Sequence, residues 1–233
     1  MIRDISGLRA LKLTVLSIDA ATELLDVTLL TSAGQLFSRT AVAGFTHSER
    51  LMPSIAGLLG DAGIGVEAID LFVCARGPGS FTGLRIGMST AKGLRFAFNR
   101  PMVAVSTLDA LAYRHTTHMG PVIPVLDARK NRIYTAIYEN GIRTSDYLDV
   151  APEELGKRLP DGMCLITGIS NQLAHTVAGH LGNVKVDPLC GSGIGAAHIA
   201  LGTELYESGD LSSNDSGPHY LRRSDAEAQR RVG

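Results

Sequence analysis

Tryptophan is absent from this chain of 233 residues, aromatic residues as a class reach only 5%, and cysteine occurs three times. Cys74, Cys164 and Cys190 form no C-x-x-C pair, and their odd number argues against a disulfide framework, so they read as reduced, mostly buried thiols. An excess of charge of either sign is missing too. Twenty-two basic against 23 acidic residues leave a formal net charge of −1, which gives no global attraction to nucleic acid or to an anionic membrane; any RNA contact must be local or made by a partner. No apolar run approaches the roughly 20 residues of a membrane span. The opening MIRDISGLRALKLTVLSIDAA is interrupted by Lys12 and Asp19 and lacks a signal-peptide core. These absences leave a cytoplasmic globular protein as the expectation.

What is present suits that class. Hydrophobic residues make up 45% and charged residues 19%, enough for a full core in one domain or in two joined lobes of about 100 residues each. The runs 13–19, 25–31 and 34–42 predict three antiparallel strands. A helix over 48–63 follows, with Ser48 as its cap, Gly63 as its end and Pro53 as an irregularity inside it. A buried strand at 69–75, a helix over 81–99 and a strand at 102–106 complete a first unit. Three more strands (122–129, 132–138, 142–150), helices, a strand at 163–168 and a helix over 193–209 repeat that order, which predicts an internal duplication. The expected lobes are 1–105 and 106–210, with a tail over 211–233.

The most unusual local feature is the turn Gly77-Pro78-Gly79-Ser80-Phe81-Thr82-Gly83 between a buried strand and a long helix. A Walker loop needs Gly-Lys-[Ser/Thr] at its end, and here Leu84 and Arg85 follow Gly83. A dinucleotide fingerprint needs G-x-G-x-x-G, and the spacing here is one residue too long, with no acid before Asp109 to take a ribose. The spacing favours a tight turn that lets backbones approach closely. Elsewhere, His115 and His118 form H-x-x-H without the intervening carboxylate of a metalloprotease, and Ser80 and Ser89 lack a G-x-S-x-G setting. Asp19, at the end of the first strand, suits an acid that holds a metal or water, and equally a turn acid bonding nearby amides. The C-terminal arginines 222, 223, 230 and 231 are diluted by Asp225 and Glu227, and read first as a solvated tail.

The stretches SIDAAT (17–22), HSERLMP (47–53), GPGSFTGLRIGMSTAKGL (77–94), VSTLDALA (105–112), LDARKNRIYTAIY (126–138) and PHYLRR (218–223) together resemble the TsaB (YeaZ) family, from about Leu13 to Arg223. The resemblance implies an α/β, two-lobed actin-like and sugar-kinase-like (ASKHA) fold, each lobe a mixed sheet with helices. It implies a role in making threonylcarbamoyladenosine next to the anticodon of tRNA, as a non-catalytic subunit with no cofactor or metal of its own. The implied partners are the catalytic paralogue TsaD, the ATPase TsaE, a second copy of the chain, and tRNA indirectly through the complex, with no membrane. Thr107 and Leu111 stand where the paralogue carries its H-x-x-x-H metal pair, and neither supplies an imidazole. Asp19-Ala20-Ala21-Thr22 replaces the D-x-G-T of actin-like ATPases, so Asp19 and Thr22 mark a degenerate phosphate hairpin, and Arg129 and Lys130 stand where a glycine-rich second phosphate loop is expected. The alternative is an enzyme, a glycoprotease-like peptidase or a nucleotide-dependent transferase; no nucleophile with a base and no metal with ligands can be assembled for it from the sequence.

The helix after the glycine turn carries two apolar stripes. Leu84, Met88, Ala91, Leu94 and Phe98 suit the sheet of their own lobe, while Ile86, Thr90, Gly93 and Ala97 form a smaller-sided stripe beside them. That second stripe, with Leu51 and Ile55 of the preceding helix, is the expected partner interface.

Overall fold

The computed structural model describes residues 12–213 and 216–222. Its first sheet runs in the order β3-β2-β1-β4-β5, from β1 (Val15–Asp19), β2 (Leu24–Leu30), β3 (Leu36–Val42), β4 (Leu71–Gly77) and β5 (Met102–Ser106). The β1–β2 and β2–β3 pairs are antiparallel, and β1–β4 and β4–β5 are parallel. The second sheet is built from β6 (Val122–Asp127), β7 (Ile133–Thr135), β10 (Leu148–Val150), β11 (Cys164–Gly168) and β12 (Val184–Val186), in the order β10-β7-β6-β11-β12. Its pairings repeat those of the first strand for strand: antiparallel twice, then parallel twice. The duplication expected from the order of elements is therefore present in the hydrogen bonding itself.

One expected strand is divided. The run 132–138 is broken after Thr135, and β8 (Tyr138–Glu139) with β9 (Ile142–Arg143) makes a small hairpin that joins the second sheet where Tyr138 pairs with Val122 of β6. Its turn is Asn140-Gly141, both with positive φ (53° and 75°), the conformation that two-residue hairpin turns require. The Asn-Gly pair was a legible signal that period-2 patterning passed over.

The helices are α1 (His47–Ala62), α2 (Phe81–Phe98), α3 (Thr107–Tyr113), α4 (Pro152–Leu155), α5 (Asn171–Gly179) and α6 (Gly195–Glu207). Thr46, not Ser48, precedes α1, and it makes no side-chain cap because its hydroxyl donates to the Ala43 carbonyl instead (2.8 Å). Gly63 closes the helix as expected. Pro53 sits inside α1 on its exposed side, as does Glu49, whose carbonyl loses a helical donor to that proline.

Strand β1 explains how the layers stack. Leu16 and Ile18 point into a core shared with Leu51, Ile55, Leu58, Met88 and Ala91 of α1 and α2. Val15 points the other way, into a core shared with Ile199 and Ala200 of α6, because successive strand side chains alternate faces. A sheet covered on both faces reads as continuous apolar sequence, and β1 and β2 are buried along their whole length. Helix α6, from the second half of the chain, thus covers the first sheet, while α3 packs against β6 and β11 of the second. Helix α6 ties the second half of the chain to the first sheet, and α3, which follows β5 directly, packs against strands of both sheets and against α6.

Midway along α6 the helix lies close to β4 at Gly202, where a Cβ would stand 2.5 Å from Val73 Cγ2. Helix propensity alone favours alanine over glycine by about 1 kcal/mol, and overpacking a filled core costs about 1–3 kcal/mol. Gly202→Ala is therefore expected to destabilise the chain, read as a lower urea midpoint at unchanged m-value. A raised midpoint would show that α6 is not held against β4.

Candidate functional site in the glycine turn and the cleft between the lobes

The glycine turn leaves β4 through a cis Gly77–Pro78 bond and enters α2 at Ser80, whose Oγ accepts from the Gly83 N–H (3.3 Å). The Ser80 N–H donates to the Ala21 carbonyl at 2.6 Å. A Cβ on Gly79 would collide with that same carbonyl oxygen, and one on Gly83 with the oxygen of Ala20. The turn is thus clamped backbone to backbone onto the β1–β2 hairpin, and its glycines serve close approach. Leu84 completes the contact in a small apolar cluster with Ala21 and Ala75. Phe81 is half-buried and Thr82 exposed.

The hairpin spends its polar groups on itself. Asp19 is 2% exposed, and its Oδ1 accepts from the Ala21 N–H at 2.8 Å. The Thr22 hydroxyl accepts from the Leu24 N–H at 3.2 Å. Burial pushes the Asp19 carboxyl up to about 7; the Ala21 hydrogen bond opposes this and nearby Asp26 adds to it. Asp26, also buried, accepts from the Gly195 N–H that begins α6 (2.9 Å) and from the Thr28 hydroxyl (2.9 Å). Behind it lies His198 of α6, fully buried, with Nδ1 3.4 Å from the Ser17 hydroxyl. Burial brings this imidazole down to about 4, against the pull of Asp26.

Between the lobes lies a cleft of about 900 Å³. The hairpin and the starts of α1 and α2 form one wall; Arg129, Lys130 and the start of α5 form the other. Arg129, Lys130 and Asn131 all have positive φ (62°, 54° and 54°). They carry the chain from β6 to β7, and Asp127 Oδ1 accepts from the Arg129 N–H (2.7 Å). The segment 216–222 forms a further side. Its His219 N–H donates to the Arg76 carbonyl (2.7 Å), Tyr220 packs on Phe81, and Arg222 is bonded to Asp149 across the cleft. Arg222 is thus tied into the fold, while Arg223, Arg230 and Arg231 lie outside the described residues.

The other candidates are scattered. His115 Nε2 meets Asp187 (2.9 Å) beside Arg114 (3.2 Å), while His118 Nε2 is buried without a hydrogen-bond partner. Among the described residues no group of three or more His, Cys, Asp or Glu is placed to hold a metal ion. Thr107 and Leu111 are fully buried in α3. Sequence patterning missed Asp26, His198 and Asp149, which look unremarkable in their own segments; Asp26 alone gave a signal, as an acid inside an apolar strand.

The two stripes of α2 separate. Leu84, Met88 and Ala91 are buried against the sheet, Ile86 and Thr90 are half-buried, and Gly93 and Ala97 are exposed. Leu51 and Ile55, expected at the interface, are instead 1% and 2% exposed in the chain's own core. They share the face of α1 that covers β1 and β2, so the outward surface of α1 is carried by Met52 and Ala56.

A family model described as TsaD: tRNA N6-adenosine threonylcarbamoyltransferase matches residues 41–198. The tRNA threonylcarbamoyladenosine biosynthesis protein TsaB of Bacillus subtilis is 30% identical, over 93% of this chain and 97% of that protein. The chain belongs to the TsaB (YeaZ) family. Among solved structures, YeaZ from Pseudomonas aeruginosa superposes with a TM-score of 0.76 at 27% identity, covering 89% of this chain and 99% of that one. Component A of the (R)-2-hydroxyglutaryl-CoA dehydratase of Acidaminococcus fermentans, 12% identical with a TM-score of 0.52 over 82% of this chain and 98% of that one, shares the fold alone. This family member has the two-lobed ASKHA architecture, with the glycine turn and the Ala20-Ala21 hairpin locked together at its cleft.

Asp19 and His198 give the fold opposed pH dependences. Asp19 binds its proton more tightly folded than unfolded, so its contribution is fully present below pH 3.8 and is lost as pH rises through about 7. His198 binds its proton more weakly when folded, so its contribution is present above pH 6.5 and is lost as pH falls through about 4. Asp19→Asn removes the first alone. Its stability relative to the parent chain is expected to grow from near zero at pH 4 to a gain of the order of 4 kcal/mol at pH 8, measured by urea unfolding at each pH. A difference independent of pH would mean that Asp19 ionises normally.

Proposed function

We propose that the chain is a non-catalytic subunit required for the threonylcarbamoyl-transfer step of tRNA threonylcarbamoyladenosine synthesis, pairing with the paralogue TsaD and working with the ATPase TsaE. Family membership supplies the pathway, since its relatives are named as biosynthesis proteins of that nucleoside. The observation that carries the non-catalytic role is the state of the hairpin. Ala20 and Ala21 are about 1% exposed, their carbonyls are pressed against Gly83 and Gly79, and the Asp19 oxygen nearest them is bonded to its own turn. Backbone amides aimed at a phosphate need an uncovered, glycine-like hairpin. The same reading carries a cytoplasmic location and an indirect contact with tRNA. It agrees with a formal charge of −1 and with the observation that, among the described residues, no helix is long and apolar enough to cross a membrane.

The surface proposed for TsaD, or for a second copy when TsaD is absent, is the outward face of α1 and α2. It presents Met52 (49% exposed), Phe96 (83%), Thr90, Gly93 and Ala97. A Cβ at Gly93 would meet nothing within 4 Å, so the position is open in the monomer and free for close helix–helix approach.

Reconstitution tests the role. With TsaD, TsaE and pre-formed threonylcarbamoyl-adenylate, tRNA modification is expected only when the chain is added, and equal modification in its absence would refute the proposal. Gly93→Glu tests the surface. The variant is expected to keep the urea midpoint of the parent and to lose association with TsaD, because an uncompensated buried charge costs roughly 3–5 kcal/mol. Native affinity in a folded Gly93→Glu chain would exclude this face.

A further inference from the structure

Three residues of the glycine turn and the start of α2 are unused by the hairpin: Gly77, Phe81 and Arg85. All three touch the segment 216–222. Gly77 has φ +102°, and a Cβ there would lie 2.9 Å from the His219 carbonyl oxygen and 3.0 Å from Leu84 Cδ1, so glycine alone admits the segment. Phe81 and Tyr220 pack with ring centroids 4.8 Å apart, and the Arg85 guanidinium lies 3.7 Å over Phe81 while its Nε donates to the Tyr220 hydroxyl (3.1 Å). These contacts belong to the first lobe. Two residues on, the segment engages the second. Arg222 donates to both oxygens of Asp149 (2.9 Å each) and to the Ala128 carbonyl (3.0 Å), while Arg132 bonds the same Asp149 from the side (2.7 Å). The His219 ring meets Tyr147 edge-on at 5.6 Å.

We propose that residues 218–222 form a releasable clasp between the lobes, with Gly77, Phe81 and Arg85 as its seat and the Arg222–Asp149 pair as its latch, so that its docking closes one side of the cleft. The clasp touches both lobes within residues 218–222, and its hold is confined to a few points. None of residues 216–222 is fully buried, and the latch partners are 27% and 19% exposed, so water and salt weaken their attraction. Leu221 is half-buried against the core that the lobes share, while the core beneath α1 and α2 and the core beneath α5 contain no residue of the segment. Ser212, upstream, is held separately: its N–H donates to the Met102 carbonyl and its hydroxyl accepts from the Ala104 N–H, both at 2.9 Å. The clasp can therefore detach without loosening α6. Elements secured by few buried contacts open well below the free energy of global unfolding. The inference is independent of the non-catalytic reading, since it concerns the geometry of this chain alone.

The absence of tryptophan makes the clasp directly observable. Tyr220→Trp introduces a single indole at the seat. Its emission is expected to be that of a shielded ring, and adding Arg222→Ala is expected to shift it to the red and raise its quenching by acrylamide, while far-UV circular dichroism and the urea midpoint hold. In the chain with native Tyr220, Arg222→Ala is expected to speed hydrogen exchange of the His219 amide roughly tenfold or more, the scale of losing charge-assisted hydrogen bonds, and to leave amides of β1 and β4 unchanged. Should the indole perturb its own docking, the exchange measurement decides. Unaltered His219 exchange in Arg222→Ala would overturn the latch. Exchange of His219 and the sheet amides in step, or a fall in the urea midpoint of the whole chain, would make the segment a fixed part of the fold and overturn the clasp.

Discussion

The contact on which the site depends is the one between two backbones, the carbonyls of Ala20 and Ala21 against Gly83 and Gly79. It joins the first hairpin to the start of α2 with no side chain between them, and the Ser80 N–H fixes the register through Ala21. Once that contact is made, α2 must run along the sheet at one height. Leu84, Met88 and Ala91 then fall on the sheet, Ile86 packs at the edge of the same core, and Gly93 and Ala97 turn away. The outward face of α2 and the covered hairpin are two results of one packing decision, since a bulkier residue at 79 or 83 would displace the helix and uncover the turn together.

A second constraint acts from the opposite face of the sheet. Helix α6 brings its first amide to Asp26 and its His198 to Ser17, so a buried imidazole stands on this face of the sheet while the buried Asp19 carboxyl ends β1. Desolvation moves the two in opposite directions, Asp19 up and His198 down, as burial of an anion and of a cation must. Groups shifted in this way are candidates for proton transfer where a substrate can reach them. Here the Asp19 oxygen is occupied by its own turn and His198 is sealed beneath α6, so the shifts report packing.

Much of the fold was legible in the chain. Period-2 and continuous apolar runs located β1 to β5, the alternating breaks announced the duplication, and of the first stripe of α2 only Leu84, Met88 and Ala91 are buried, with Leu94 and Phe98 half-buried like Ile86 and Thr90 of the second. Capping was less legible, because Thr46 had a competing acceptor in Ala43. The division of 132–138 followed from Asn140-Gly141, whose preference for positive φ outweighs strand propensity over so short a run.

The sequence by itself determined the order of elements along the chain within each repeat, the alanines of the hairpin 19–22, and the glycine spacing of residues 77–83. Those features are written in neighbouring residues and in local periodicity. Only the tertiary structure decided that Leu51 and Ile55 face inward, that α6 crosses to cover the first sheet, that Asp19 holds its proton to about pH 7, and that Arg222 reaches Asp149. Each of these depends on which distant segment supplies the neighbour. A hydrophobic residue reads the same in sequence whichever of two surfaces it meets, and a charge reads the same whether water or a buried partner surrounds it.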